Sequence, residues 1–565
     1  MTQLSPRGYK RVAPSAVFAG AVLVANLIVS VYRWLPSGAP QQALVPSVEV
    51  LLAVLIALLL IVRTGRLYAA AAAGALIATA LAAFGLGEGT FRLLYARGFV
   101  PSSDLALVRS AVLLFLPGDG LTTGVLAGVA VAVTAIVLFV VLFALFLAAL
   151  QALQTMNGRP PLLIAGVLGI VAVGSLLAVG PSDTLTAAMV RGFSADEFEV
   201  RDIIRESSGE QIKGEAPQPD EPEPPEVEYG APGLRDRDIY KFIVESYGIT
   251  IFEREEIRTE LFSVIERFER RIVDDGFYSV SNFIEAPIFG GQSWLAEATF
   301  LTGNEIDRQS RYERLLGEDP DTITRFLRDR AGYYSLAVKP GTINGPWPEG
   351  REVFGFDEVM SAFEGDFGYD GPWFSFVPIP DQFAIWKAHR RIEELRADDG
   401  AAADRPLYLH YQLVSSHTPF NRIPQVIDTW EDLGDGSVYF DTETQYFDND
   451  YLSGTEYVEG YIASIEYVLE VIAEYLIRHL DDDDESIVII YGDHQPGSVV
   501  TGRDASNSVP LHIVSRDDEL LEAWRADYGF VDGMFPNQDY PHLSMGEIFP
   551  IIAQVAMQPV TQSYR

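Results

Sequence analysis

The first 180 residues contain five long apolar stretches, and these constrain the fold more than any other feature of the chain. They lie at residues 14–34, 42–62, 67–86, 121–151 and 161–180. A helix needs roughly 20 apolar residues to cross the hydrocarbon core of a bilayer. Residues 1–190 are therefore predicted to form a multi-pass α-helical membrane domain with five spans. A transporter is a weaker alternative, because Glu49 is nearly the only ionisable residue inside these spans.

The segment from Phe91 to Leu116 is apolar, but charged residues and a proline interrupt it. We interpret it as an interfacial or re-entrant element rather than as a sixth span. Basic residues in short loops favour the cytoplasmic side. With the N-terminus inside, the inner loops hold six basic residues and the outer loops four. Five spans then place everything after residue 180 outside the cytoplasm, so a domain exported through the cell membrane is expected.

The charge of the chain changes sharply after this apolar part. Residues 1–200 hold 11 Lys and Arg against 8 Asp and Glu, whereas the remainder holds 30 against 70. So strong a negative charge would repel a phosphate backbone, which argues against nucleic acid as a partner. The chain also has no Cys. This excludes disulfides, thiolate metal ligands and cysteine nucleophiles.

Two further regions follow the predicted anchor. Residues 191–236 are rich in Pro, Glu and Gly in their second half, and such a segment is predicted to be an unfolded acidic linker. In residues 237–565, short β-rich runs alternate with segments of helical periodicity. This alternation predicts an α/β domain with a mostly parallel sheet.

Three predicted strands of this domain end in chemically active side chains. One strand ends at Glu245, one at Asp493 and His494, and one leads to His417. In open α/β sheets, ligands bind beyond the carboxyl ends of the strands. We therefore expect these side chains to meet at one edge of the sheet.

A fourth element is the turn Gly290-Gly291-Gln292, which is predicted to open a helix at Ser293. Backbone N–H groups at a helix start favour an anion. Glu, Asp, His and a Ser oxygen together suit one divalent cation, which would lower the pKa of the hydroxyl and activate it as a nucleophile.

Each of these residues also has an ordinary structural interpretation. Glu245 alone fits a carboxylate that accepts hydrogen bonds from turn amides, and Ser293 alone is more often a helix N-cap than a nucleophile. His417 alone is typical of a hydrogen-bonded loop. Only their joint placement favours a functional site.

Five motifs resemble those of the alkaline-phosphatase superfamily, in the order in which that superfamily carries them. They are Glu245-Ser246-Tyr247-Gly248, Gly291-Gln292-Ser293 with Glu297, Gly355-Phe356-Asp357, Ser416-His417-Thr418-Pro419-Phe420 and Tyr491-Gly492-Asp493-His494. The chain is most similar to the membrane-anchored, sulfatase-like branch, which contains lipoteichoic acid synthases and phosphoglycerol or phosphoethanolamine transferases. The resemblance implies a three-layer fold of the alkaline-phosphatase and sulfatase type.

The resemblance also implies residue roles. Glu245, Ser293, Asp493 and His494 would bind one divalent cation, with Mn²⁺ or Mg²⁺ preferred and Zn²⁺ allowed. Ser293 would be the nucleophile and His417 would hold or protonate the phosphoryl group. Lys339 stands where relatives often carry His, and it would meet the substrate as a point charge. The sulfatase signature is absent, because Trp-Leu-Ala follows Ser293 rather than a segment with Pro and Arg.

The predicted function is therefore a phosphoryl-group transferase of the cell envelope. Its donor would be a membrane phospholipid, and its acceptor would be a glycan or polymer. Two alternatives stay open at this point. One is a hydrolase of phosphate mono- or diesters that uses the same site with water, and the other is a catalytically silent envelope scaffold.

Overall fold

The computed structural model divides the chain into two compact units, Met1–Pro217 and Gln218–Arg565. The residues that it describes are 13–34, 44–95, 98–101, 104, 120–155, 168, 170–171, 185, 188–189 and 237–557, with 344, 398, 448–454, 481–485, 503–504 and 540 left out. The predicted linker at 191–236 lies outside the described residues. The boundaries predicted for the three regions therefore stay predictions.

The first unit is helical. Its helices are α1 (Pro14–Val29), α2 (Val31–Trp34), α3 (Val48–Thr64), α4 (Leu67–Tyr95) and α5 (Gly120–Thr155). In the described part of the chain, two segments are long and apolar enough to cross a membrane, namely Leu67–Arg92 and Ala132–Thr155. The five-span prediction is thus not confirmed, and its fifth stretch, 161–180, lies almost wholly outside the described residues.

Three helix boundaries differ from the predicted ones. The first stretch is divided at Ser30 between α1 and α2. The second begins only at Val48, because Ser47 caps the helix through its side-chain oxygen, which accepts a hydrogen bond from the Val50 amide. The third continues through Tyr95, beyond the predicted end at residue 86.

The extension of α4 shows that the first residues of the proposed interfacial segment are part of this helix. Glu88 is buried, and its Oε1 lies 2.7 Å from Nε of Arg92, one turn further along. Its Oε2 accepts a hydrogen bond from the Phe99 amide at 2.8 Å. These contacts compensate the buried charge of Glu88. A prediction from hydropathy alone ends the helix before this residue. Residues 105–116 of the same segment lie outside the described residues.

The second unit is an α/β domain. Its strands are β1 (Ile239–Val244), β2 (Tyr278–Glu285), β3 (Tyr334–Lys339), β4 (Glu358–Ser361), β5 (Leu407–Leu413), β6 (Arg422–Ile423), β7 (Gln445–Tyr446), β8 (Ile487–Gly492), β9 (Ser508–Ser515), β10 (Val531–Asp532) and β11 (Leu543–Ser544). Its helices are α6 (Thr250–Glu253), α7 (Glu255–Asp274), α8 (Ser293–Thr302), α9 (Gln309–Leu315), α10 (Ile323–Ala331), α11 (Glu349–Glu352), α12 (Asp381–Arg396), α13 (Thr455–His479), α14 (Ser498–Thr501), α15 (Asp518–Tyr528) and α16 (Ile548–Met557).

Nine strands form the main sheet, in the order β10-β2-β9-β8-β1-β5-β3-β4 with β11 beside β2. The five strands from β8 to β4 are parallel, whereas β9 pairs antiparallel with both β8 and β2. The predicted α/β class is confirmed, and its sheet is mixed with a parallel centre. Because β5, β1 and β8 are neighbours, their carboxyl ends lie side by side.

Apolar side chains cover both faces of the sheet. Along β1, Tyr240, Phe242 and Val244 enter one core, and Ile239 and Ile243 enter the other. Helices α7, α12 and α13 contribute to the first core, and α8, α10 and α16 contribute to the second. Alternate burial of this kind makes a three-layer arrangement of helix, sheet and helix.

Candidate active site

Ser293 is the first residue of α8, as the sequence predicts. The preceding residues Gly290, Gly291 and Gln292 all have positive φ, at 61°, 77° and 63°. Glycine adopts this left-handed conformation without steric cost, whereas a residue with a side chain, such as Gln292, loses roughly 1–2 kcal/mol. Three left-handed residues in succession make the tight turn that places Ser293 at the start of the helix.

The side chains of Ser293, Glu245 and His494 are in direct contact. The Ser293 hydroxyl donates to Glu245 Oε2 at 2.9 Å and lies 3.2 Å from His494 Nε2. That nitrogen also lies 3.1 Å from Glu245 Oε1 and 3.4 Å from Asp493 Oδ2. Glu245, Asp493 and His494 are at most 3% exposed. The structure therefore brings these four predicted residues together at the carboxyl ends of β1 and β8.

Backbone groups fix the orientation of the ligand side chains. Asp493 Oδ1 accepts hydrogen bonds from the amides of Ser246 and His494, at 2.9 and 2.8 Å. His494 Nδ1 lies 2.7 Å from the carbonyl oxygen of Gln495. A neutral ring that donates this hydrogen bond from Nδ1 keeps the lone pair of Nε2, which faces the carboxylates.

The charges of this buried group shift the pKa values of its members. Burial alone raises the pKa of Glu245, but the imidazoles of His417 and His494 outweigh it and lower the pKa to about 2. Burial and the Glu245 carboxylate raise the pKa of Asp493 to about 7. Burial alone lowers the pKa of His494, but the Asp493 and Glu245 carboxylates raise it to about 9. The site therefore favours an additional positive charge.

A divalent cation fits these residues. Ligand atoms of Glu245, Asp493 and His494 all lie within 4.8 Å of one another. Oδ2 of Asp493 is buried and has no hydrogen-bond partner within the described part of the chain, which is costly for a carboxylate oxygen unless a cation binds it. Carboxylate oxygens and an imidazole nitrogen suit Mn²⁺, Mg²⁺ or Zn²⁺.

His417 lies on the loop that follows β5, close enough to Glu245 for its charge to lower the pKa of that carboxyl. Its ring stacks on Phe376 with the centroids 3.7 Å apart, and its Nδ1 lies 2.6 Å from the Thr418 carbonyl oxygen. The loop is joined to β1, since the Ser416 hydroxyl donates to the Glu245 carbonyl oxygen at 2.6 Å.

Asp381, to which the sequence assigns no catalytic role, fixes the beginning of this loop. Its carboxylate accepts hydrogen bonds from the amides of Val414 and Ser415 at 2.8 and 3.0 Å. Burial raises the pKa of Asp381 to about 6, against the opposing effect of these amides. The only sequence signal for this role is an Asp after Pro380 at the start of a helix.

Lys339, at the end of β3, pairs with Glu297 of α8. Its Nζ lies 2.6 and 2.7 Å from the two carboxylate oxygens, and His410 Nε2 lies 2.6 Å from one of them. The side chains of Lys339 and Glu297 are 5% and 3% exposed. Lys339 thus has a structural partner one helical turn beyond Ser293, and its role in substrate binding stays a prediction.

Two other histidines make contacts away from the cluster. His512 Nε2 lies 3.1 Å from the Tyr247 hydroxyl and its Nδ1 lies 2.6 Å from the Ser281 hydroxyl. His542 Nδ1 lies 2.6 Å from the Ser508 hydroxyl. In the regions that the structure describes, neither belongs to the group of candidate metal ligands.

Residues 287–528 match the sulfatase family model. This match confirms the sulfatase-like part of the predicted resemblance for residues 287–528. The match contains Ser293, Lys339, His417, Asp493 and His494. Glu245 precedes the matched segment, so the match does not cover this residue, which the structure places in contact with Ser293.

None of the curated proteins compared with the chain matches it significantly. Solved structures give distant similarities. The lipoteichoic acid synthase LtaP from Listeria monocytogenes is 16% identical over 59% of this chain and 74% of its own, with a TM-score of 0.38.

Two further similarities are equally distant. The C-terminal periplasmic domain of EcEptC from Escherichia coli, in complex with Zn, is 12% identical over 57% of this chain and 82% of its own, with a TM-score of 0.38. The Streptococcus pyogenes phosphoglycerol transferase GacH, in complex with sn-glycerol-1-phosphate, is 12% identical over 57% of this chain and 85% of its own, with a TM-score of 0.33. Similarities at this level do not assign an activity to this chain.

Proposed function

We propose that the chain is a metal-dependent transferase that moves a phosphoglycerol- or phosphoethanolamine-type group from a membrane phospholipid to an envelope glycan or polymer. The proposal depends above all on the Ser293 hydroxyl, which contacts Glu245 and His494 within a buried group of metal-ligand side chains. The sulfatase-family match supports chemistry at an ester of this kind. Phosphorus is favoured over sulfur, because the chain has no Cys and lacks the Pro and Arg of the sulfatase signature.

The divalent cation would be held by Glu245, Asp493, His494 and the Ser293 oxygen. When bound, it lowers the pKa of a neighbouring hydroxyl and stabilises negative charge on phosphoryl oxygens. The Glu245 carboxylate accepts a hydrogen bond from the Ser293 hydroxyl in the present geometry, so it also orients Oγ for attack. Mn²⁺ or Mg²⁺ is preferred from the donor set, with Zn²⁺ allowed.

The reaction then has two displacements at phosphorus. Ser293 loses its hydroxyl proton to solvent, and Oγ attacks the phosphodiester. The bond from phosphorus to the diacylglycerol oxygen breaks, and that oxygen takes up a proton from His417. In the second step, an acceptor hydroxyl gives its proton to His417 and attacks the phosphoserine. The bond from phosphorus to Oγ breaks, and Oγ takes up a proton from solvent, which restores the Ser293 hydroxyl. The helix start at Ser293 adds backbone N–H groups that favour the anionic phosphoryl group.

We further propose that the helical unit is a multi-pass anchor in the cell membrane and that the catalytic domain is extracytoplasmic. Leu67–Arg92 and Ala132–Thr155 support an anchor. An anchored enzyme meets a lipid substrate at raised effective concentration without any new contact. A reporter fused after residue 565 checks the orientation, and cytoplasmic reporter activity would contradict it.

A labelled phospholipid tests the activity. The full-length protein is incubated with phospholipid that carries a labelled phosphorylated head group, with and without envelope glycans, and residue 293 is examined by mass spectrometry. A labelled phosphoester on Ser293, followed by label on the glycan, is expected. Label released only to water would establish the hydrolase instead. Absence of both products with metal-loaded protein would refute phosphoryl transfer and favour the scaffold.

A further inference from the structure

Two loops beside the site expose large aromatic side chains. Trp373 is 51% exposed, Phe440 is 65% exposed and Tyr446 is 69% exposed. Exposed large rings that lie in one contiguous patch are a common sign of a binding surface. We call these three residues, together with Phe376 and Arg422, the aromatic rim.

The loops that carry the rim are packed against each other. The Asp370 amide donates to the Asp435 carbonyl oxygen at 2.8 Å. A Cβ at Gly436 would lie 2.4 Å from the ring of Tyr369. Only glycine at this position allows the two loops to approach so closely. Phe374, next to Trp373, packs edge-on against Tyr439, next to Phe440, with the centroids 5.5 Å apart. The two loops that carry the exposed rings are therefore adjacent.

This surface reaches the candidate catalytic loop. Phe376 stacks on His417 at 3.7 Å between ring centroids, and the Ser375 hydroxyl lies 3.4 Å from the His417 carbonyl oxygen. The Trp373 indole N–H donates to the Ser375 carbonyl oxygen at 3.1 Å, so the same short loop carries the outermost ring. A molecule bound on the rim would have one end beside His417.

The charges around the rim disfavour anionic occupants. The segments 363–380 and 423–446 hold nine Asp and Glu and no Lys or Arg, and all nine side chains are exposed. Such a surface repels phosphate groups, whether on an anionic bilayer or on a charged polymer. The guanidinium of Arg422 lies over the rings of Phe374 and Tyr446, at 5.8 and 5.6 Å from their centroids, so a cation of the protein itself already occupies these ring faces.

We propose that the aromatic rim binds an uncharged oligosaccharide, which is the acceptor of the transfer reaction. The C–H faces of a sugar ring are apolar and stack on flat aromatic rings, while its hydroxyl groups bond to the surrounding carboxylates. The role of the oligosaccharide as acceptor rests on the proposed function. Its binding to the rim does not depend on any reaction.

The test measures binding and transfer separately, on the full-length protein in detergent. A panel of uncharged gluco-, galacto- and manno-oligosaccharides is titrated without phospholipid, and binding is followed by saturation-transfer NMR. Trp373→Ala and Tyr446→Ala are each expected to weaken binding of the preferred oligosaccharide about tenfold. The matched control is Tyr278→Ala. Tyr278 is also 50% exposed, but it is the first residue of β2 and is not part of the rim, so the variant should bind oligosaccharide as the wild type does.

With labelled phospholipid added, Trp373→Ala is expected to lower the ratio of transfer to hydrolysis by a similar factor. Rim-dependent binding without any phosphoryl transfer would overturn the proposed function and keep the rim as a sugar site. If phosphoryl transfer to the glycan is unchanged in both variants, the rim is not the acceptor site. The rim is equally refuted if no oligosaccharide binds, or if both variants instead lose binding to anionic phospholipid vesicles.

Discussion

Lys339 at the end of β3 forms a buried ion pair with Glu297, one helical turn beyond Ser293 on the same helix. The ammonium lies 2.6 and 2.7 Å from the two carboxylate oxygens, and both side chains are at most 5% exposed. Burial by itself raises the pKa of Glu297, but Lys339 and His410 outweigh it and lower the pKa to about 2. The pair therefore connects the parallel strands to the helix whose first residue is the candidate nucleophile.

Lys339→Met should destabilise the domain, because it leaves the Glu297 carboxylate buried without its cation. The expected loss in the free energy of unfolding is about 3–5 kcal/mol, measured by urea denaturation. Arg267→Met is the matched control, since the pair of Arg267 with Glu466 is 43% and 48% exposed and is expected to contribute at most about 1 kcal/mol. If Lys339→Met kept its stability but lost substrate affinity, Lys339 would be a substrate ligand after all.

Ser293→Ala should abolish turnover and the phosphoserine adduct while the fold persists. The hydroxyl is the group that would form the covalent ester, so the expected loss in rate is roughly 10³-fold or more. Activity on labelled phospholipid measures the loss of turnover, and circular dichroism shows whether the fold persists. Ser263→Ala, on the exposed side of α7, serves as the control. Residual activity close to that of the wild type would show that another group is the nucleophile.

Asp493→Asn should lower the metal content of the purified protein, because it removes half of the charge that Glu245 and Asp493 present to a cation. Elemental analysis is expected to find about one divalent ion per wild-type chain and clearly less in the variant. A chelator should also lower the midpoint of thermal unfolding of the wild type, since an ion that binds only the folded state stabilises it. Asp441→Asn, at an exposed position, should retain the ion. Equal metal content in both variants would contradict the proposed ligand role.

Strand ends were the part of the site that the sequence could predict. Glu245, Asp493 and His494 follow short apolar runs, and neighbouring parallel strands bring such positions to the same edge. The order of the motifs and the Gly-Gly-Gln turn also predicted Ser293 at the start of a helix. These features depend on local sequence and on the general topology of α/β domains, so a single sequence contains them.

Long-range side-chain pairs were not predictable in the same way. Glu297 and Lys339 are 42 residues apart, and nothing in the sequence around either residue indicates the other. Strand β2 is hard to recognise from the sequence, because YSVSNFIE places the polar residues Ser281 and Asn282 in the interior, where distant partners satisfy their side chains. The end of α4 was misplaced for a related reason, since Glu88 is compensated by Arg92.

His512 should make the catalytic domain sensitive to acid. Burial lowers the pKa of His512 to about 3, against an ordinary value of 6.5, so the folded state keeps the ring neutral where the unfolded chain binds a proton. The unfolded state therefore gains stability as the pH falls from 6.5 towards 3, by about 1.4 kcal/mol per pH unit. The variant His512→Gln removes this titration. The difference in unfolding free energy between the variant and the wild type should therefore change by about 1.4 kcal/mol per pH unit. Tyr247→Phe keeps the histidine and should retain the wild-type slope, although it removes the hydroxyl 3.1 Å from Nε2. Parallel stability curves for the wild type and His512→Gln between pH 6.5 and 4 would show that the ring is already protonated in the folded domain.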